Sequence, residues 1–137
     1  REFLVREWNG EVMAGYEADD GIGIAAHGDF IICANDKDFR QIPGTHYNFV
    51  KDSFETLGEQ EAAYAFFSQL LIGDTSDNVR GVDGIGAVKA GRLLLGKTPT
   101  EMESCVRRLY DDSERYLLVH NLLRILRTEE EYENILK

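Results

Sequence analysis

Acidic side chains form the most specific chemical pattern in this sequence, in three short clusters: Glu17, Asp19 and Asp20; Asp36 and Asp38; Asp74 and Asp77. None of the clusters contains His or Cys, so the donors are hard oxygens, a set that selects Mg²⁺ or Mn²⁺ over Zn²⁺. Acids crowded on one helical turn repel unless they share a cation. Two such cations roughly 4 Å apart can activate water, hold a phosphodiester and stabilise its leaving oxygen, with no protein nucleophile. Blander readings stand beside this one. Acids near a helix start complement its dipole, and Asp-Lys-Asp is common in surface turns. His27, His46 and His120 are scattered, and each is expected as a surface or hydrogen-bonded core residue.

A second pattern follows the third cluster. Gly81, Gly84 and Gly86 punctuate a tight turn that opens onto a helical pattern over residues 87–95. Bare backbone N–H groups at a helix N-terminus make an anion site. Arg80, Lys89, Arg92 and Lys97 surround it, where a phosphate backbone would run.

The elements that must carry these groups can be read from periodicity. Residues 1–14 predict a short strand or a helix end, with a turn at Asn9-Gly10. Residues 15–27 predict a helix burying Ala18, Ile22, Ala25 and Ala26, with Gly21 and Gly23 packed against a neighbouring strand. The apolar run 29–35 predicts a buried parallel strand with Asp36 and Asp38 at its carboxyl end, where open α/β sheets place ligand sites. Residues 45–50 predict an edge strand and 53–58 a connector. Residues 59–73 predict a helix with Phe66, Phe67, Leu70 and Leu71 apolar, delivering Asp74 and Asp77 on its last turn. Thr98-Pro99-Thr100-Glu101 predicts a helix start running to residue 110. Ser113 caps the next helix, burying Tyr116, Leu117, Val119, Leu122, Leu123, Ile125 and Leu126, and Thr128 opens a last short one.

The run from Gly73 to Gly91, taken with Gly15-Tyr16-Glu17-Ala18-Asp19-Asp20 and Asp36-Lys37-Asp38-Phe39 in that order, resembles the 5′ nuclease family. That family comprises flap endonucleases, phage 5′-to-3′ exonucleases and the 5′ nuclease domain of bacterial DNA polymerase I; the phage-type and stand-alone bacterial enzymes are the most similar. The resemblance implies an α/β fold: residues 1–52 as the C-terminal portion of a PIN-like, Rossmann-like parallel-sheet domain, and residues 53–137 as a helical helix-three-turn-helix subdomain of the SAM-like, helix-hairpin-helix kind. It implies that Glu17, Asp19, Asp36 and Asp38 serve a first Mg²⁺ and Asp20, Asp74 and Asp77 a second, directly or through water, with Mn²⁺ able to substitute. It also implies that Arg80, Gly81, Gly84, Ile85, Gly86 and Lys89 grip duplex DNA without reading its sequence, helped by a K⁺ ion on main-chain carbonyls near Val82 and Ile85. Family members have in addition an N-terminal half with further metal-binding Asp residues and a helical arch, which these residues do not supply. The implied activity is two-metal hydrolysis of branched or 5′-ended DNA in a bacterial or phage-infected cytoplasm, with the isolated chain cutting poorly. The rival readings are a non-catalytic helix-hairpin-helix DNA-binding module, a PIN-like ribonuclease and a purely structural interaction domain.

Composition sets the frame. The 137 residues suffice for one compact domain or two small subdomains, and 43% hydrophobic with 29% charged residues is an ordinary globular balance. The start lacks the apolar core of a secretion signal and reads as an interior point of a longer chain. Cys33 and Cys105 are expected as buried, reduced thiols. A net charge of −10 argues against a basic nucleic-acid surface, but cations held by seven carboxylates would invert the local field.

Overall fold

The computed structural model describes residues 2–15, 17–26 and 28–135; Tyr16 of the first acidic motif and His27 lie outside them. The architecture is mixed α/β: a small three-stranded sheet, a two-residue-per-strand hairpin and seven α-helices among the described residues. Among those residues no helix is long and apolar enough to cross a membrane.

The sheet has the order β1(Ile31–Cys33), β2(Gly44–Asn48), β3(Ser53–Leu57). β1 runs parallel to β2, with Ile31 opposite Thr45, and β2 runs antiparallel to β3, with Gly44 opposite Leu57. The expected edge strand is therefore the central one, and the expected connector is a strand. Ser53-Phe54-Glu55-Thr56-Leu57 has the period of two but sends only Leu57 into the interior, so it lacks the apolar face that marks a strand in sequence. The sheet accordingly continues to Leu57, past the division expected after residue 52. Turn chemistry closes the hairpin: Asn48 Oδ1 accepts from the N–H groups of Val50 and Lys51, and Asp52 takes a positive φ of 49°.

β1 is not the buried strand its apolar run predicts. Only Ile32 is buried, at 6% exposure, while Ile31, 54% exposed, and the exposed Cys33 thiol lie on the opposite face. Before it come two helices, α1(Glu2–Trp8), none of whose residues is buried, and α2(Ala18–Ala25). The buried positions of α2 are Gly21 and Gly23, and Ile22 is exposed, so the expected face is wrong. The close packing at the glycines is real, but its partner is no strand. A Cβ on Gly23 would collide with the Leu126 carbonyl, so glycine lets the segment after the sixth helix cross α2 in contact with its backbone.

The larger core belongs to the helices. α3(Glu59–Ile72) starts with a one-way cap in which Gly58 N–H donates to Glu61 Oε2 at 3.1 Å. It buries Ala62, Phe66, Phe67, Leu70 and Leu71. Around the last four pack Ile85 of the preceding turn, Ala90 and Leu94 of α4(Ala87–Leu94), Met102 and Val106 of α5(Pro99–Arg107), Tyr110, and Tyr116, Val119 and Leu123 of α6(Ser113–Leu123). Full burial of each large apolar side chain contributes about 1.5–3 kcal/mol. α5 opens as expected, with Thr98 and Glu101 forming a capping box and Pro99 at the first position. α6 is capped by Asp112 rather than Ser113, and Leu117 and Leu122 face solvent. Thr128 accepts from the Glu131 N–H at the start of α7(Glu129–Ile135).

One buried amide ties the two parts together. Gln41 Nε2 donates to the Leu123 carbonyl at 3.0 Å, and its Oε1 accepts from the Ile125 N–H at 2.9 Å. Ile125 completes a smaller core with Ile32, Phe39 and Ile42.

Candidate metal centre and phosphate-binding turn

Helix α3 ends at Ile72, so Asp74 and Asp77 do not share a helical turn as expected. A hairpin brings them together instead. β4(Gly73–Asp74) pairs with β5(Val79–Arg80), and Asp77 sits in the turn between them. Gly73 breaks the helix with a φ of +83°, a conformation that disfavours any side chain. The hairpin then packs Gly81 directly on Gly73, where a Cβ on either would overlap the other's backbone.

Asp38 reaches this hairpin from the 3-10 turn Lys37–Gln41, which follows β1. Among the described residues, Asp38, Asp74 and Asp77 each offer a carboxylate oxygen with all three within 4.8 Å of one another. Asp74 is the floor of the group at 2% exposure, and Asp77 is exposed. Glu17, Asp19 and Asp20 lie outside the triplet but line the same cleft of about 260 Å³, together with Asp38, Gln69 and Asp77.

Asp36 and Asp20 have structural duties as well. Asp36 Oδ1 accepts from the Asp38 N–H and so caps the 3-10 turn, and its side chain lines a neighbouring cleft rather than this one. Asp20 Oδ1 accepts from the Leu126 N–H at 2.9 Å and receives the crossing segment. The sequence identified neither duty, because both depend on where a distant or following backbone group falls.

Three further residues at the site went unmarked in the sequence. Gln69 Nε2 bridges Asp38 Oδ1 at 2.9 Å and Asp74 Oδ2 at 3.2 Å. Lys37 Nζ donates to the same Asp74 Oδ2 at 2.8 Å, and the Ser76 N–H donates to Oδ1. The Lys37 hydrogen bond, opposed by burial and aided by Ser76, holds the Asp74 carboxyl down to about 2. Asp38 moves the other way: burial pushes it up, as do the charges of Asp36 and Asp74, against Lys37 and Gln69. Burial also raises Asp20, opposed by the Leu126 N–H and reinforced by Asp19. The donor set is therefore oxygen-only and convergent, as a hard divalent cation requires, with the Lys37 ammonium held against Asp74.

The glycine turn leaves the hairpin at once. Val82 N–H donates back to the Leu71 carbonyl, Ile85 N–H closes the turn on the Val82 carbonyl at 3.2 Å, and α4 begins at Ala87 after an extended Gly86. Gly84 adopts a φ of +73°. Arg80 and Asp83 make a loose 3.5 Å pair on the open surface. Arg115, the third unmarked residue, clamps the turn from α6 by donating to the Gly81 carbonyl at 2.7 Å. Lys89 lies 3.5 Å from the Gly84 carbonyl. His46 and His120 are absent from both places: His46 bonds the Ile42 carbonyl, and His120 packs against Phe66 and Tyr116.

Comparison with protein-family models, with curated proteins and with solved structures finds no match to this chain.

Proposed function

We propose that this chain is the metal- and DNA-gripping part of a structure-specific 5′ nuclease that hydrolyses DNA phosphodiester bonds. The observation that carries the reading is the convergence of Asp38, Asp74 and Asp77, from two separate sequence motifs, within 4.8 Å. Glu17, Asp19 and Asp20 lining the same cleft support it. Magnesium-class cations held there would supply an activated water and neutralise charge developing on the phosphate. Asp38, Asp74 and Asp77 would hold them, Glu17, Asp19 and Asp20 would serve them through water, and Gln69 fixes the facing oxygens of Asp38 and Asp74. The N–H groups of Gly84, Gly86 and Ala87, which the turn's own hydrogen bonds at Val82 and Ile85 leave over, and the side chains of Arg80 and Lys89 take the duplex backbone, which gives affinity without base preference. A K⁺ ion near the Val82 and Ile85 carbonyls would add to that grip.

The free edge of β1 and the apolar groove among Leu4, Val5, Val12, Met13 and Ile22 suit cover by the N-terminal half of the same enzyme. Cleavage by the 137-residue chain alone is accordingly expected to be slight. The test is binding: Mn²⁺ titration of wild type, Asp38→Ala and Asp74→Ala, then competition among 5′-flap DNA, linear duplex and single-stranded RNA. Loss of Mn²⁺ binding in both variants with a preference for flap DNA supports the proposal. Unchanged metal affinity would point to a non-catalytic DNA-binding module, and preference for RNA to a ribonuclease; either result overturns it.

A further inference from the structure

The carboxylate group already contains a cation of its own. Asp74 is nearly sealed, with 1% of its side chain exposed, whereas its partner Lys37 is 65% exposed and reaches in from the rim. Oδ1 of Asp74 accepts from the Ser76 N–H, while Oδ2, which Gln69 bridges to Asp38, is the oxygen Lys37 holds. Gln69 contributes a neutral amide to that oxygen but no charge. The ammonium therefore supplies positive charge directly against the nearly sealed carboxylate, 2.8 Å from its Oδ2.

We propose that Lys37 is the resident counter-ion of this site: it holds Asp74 in the metal-free protein, and an incoming divalent cation must displace it. The inference rests on Asp38, Asp74 and Asp77 being the metal site. Two positive groups cannot share Oδ2, because a divalent cation within a few ångströms of an ammonium is repelled strongly in a partly desolvated cleft. Displacement is mechanically easy. A lysine head sits on a flexible four-carbon stem, and on its far side Lys37 borders the neighbouring cleft with Asn35, Asp36, Asn48 and Lys51. The exchange sets the metal affinity below what the oxygen donors alone would give, and it keeps the buried carboxylate compensated whenever metal is absent.

The experiment is calorimetric Mn²⁺ titration of wild type, Lys37→Met, Lys37→Gln, Lys37→Arg and Asp74→Asn. Losing a charge-assisted hydrogen bond to the competing group corresponds to affinity on the order of tenfold tighter. That gain is expected in Lys37→Met and Lys37→Gln, with Lys37→Arg close to wild type and Asp74→Asn deprived of binding. The glutamine variant keeps a donor, so it carries the test if the methionine variant does not fold. Wild-type or weaker affinity in the neutral variants, while Asp74→Asn loses binding, overturns the lysine proposal alone. Absence of binding in every protein overturns the metal-site reading and this proposal with it.

Discussion

Asp38→Asn separates what the carboxylate group costs the fold from what it does for a ligand. The three oxygens lie within 4.8 Å of one another. At that distance a pair of like charges repels by roughly 0.9 kcal/mol in a water-like medium and roughly 3.5 kcal/mol at an effective dielectric constant of 20. Neutralising Asp38 removes its repulsion with Asp36, with Asp74 and with Asp77 and forfeits its attraction to Lys37, leaving a net of at least one repulsive pair. Asp38 is half-buried, so the low end of that range applies, about 1 kcal/mol. Asparagine keeps the Oδ1 acceptor that Gln69 uses, so no hydrogen bond need be lost. In EDTA the variant should therefore be more stable than wild type by about 1 kcal/mol, a rise in Tm of about 4 °C for a chain of this size. With Mn²⁺ at a hundred times the wild-type dissociation constant, wild type should gain about 2.7 kcal/mol. Asp38→Asn should gain much less, so the order of stability reverses. Urea unfolding in the two buffers reads both quantities. A variant less stable than wild type in EDTA, or one that keeps the full metal-induced gain, refutes the reasoning.

Other expectations follow from single contacts. The Asp74 carboxyl lies at about 2 in the fold against an ordinary 3.8, so its stabilisation is complete above pH 3.8 and disappears as pH falls towards 2. Asp38 and Asp20 are raised and act in the opposite sense, easing the fold as they protonate. Metal-free wild type should thus gain slightly from pH 7 to 5 and lose steeply by pH 3; Asp74→Asn should lack the Asp74 part of that acid loss, which urea midpoints at the three pH values would register. Gln41→Ala strands the Leu123 carbonyl and the Ile125 N–H, each buried, and should destabilise by about 1–3 kcal/mol per unsatisfied group in the same assay. Lys89→Ala and Arg80→Ala should weaken DNA binding equally across sequences and reduce the slope of log affinity against log salt by about 0.9 each, measured by fluorescence anisotropy.

Local signals were legible in the sequence and distant ones were not. Thr98, Pro99 and Glu101 mark the start of α5 because a capping box is built from neighbours. The apolar spacing of α3 is equally local, and its extent was read to within a residue. β1 was expected buried because Ile31, Ile32 and Cys33 are apolar, but successive side chains leave a strand on opposite faces, and here only the face of Ile32 is covered. The acids were found by type and order. Their positioning partners escaped because Gln69 contacts Asp38 across 31 residues and Lys37 contacts Asp74 across 37, spacings to which no periodicity points. Asp74 and Asp77 were brought together by a different route from the one expected, since a three-residue spacing serves a tight hairpin as well as a helix.

The contact of Gly73 on Gly81 makes the hairpin a ruler graduated in main chain. Asp74 and Asp77 sit inside the loop that this contact closes, and the anion-binding turn begins where it ends. Swapping side chains on either part leaves the interval between them untouched. A single residue inserted between 74 and 80 would lengthen it, and should leave two well-formed halves that no longer address the same phosphate strand.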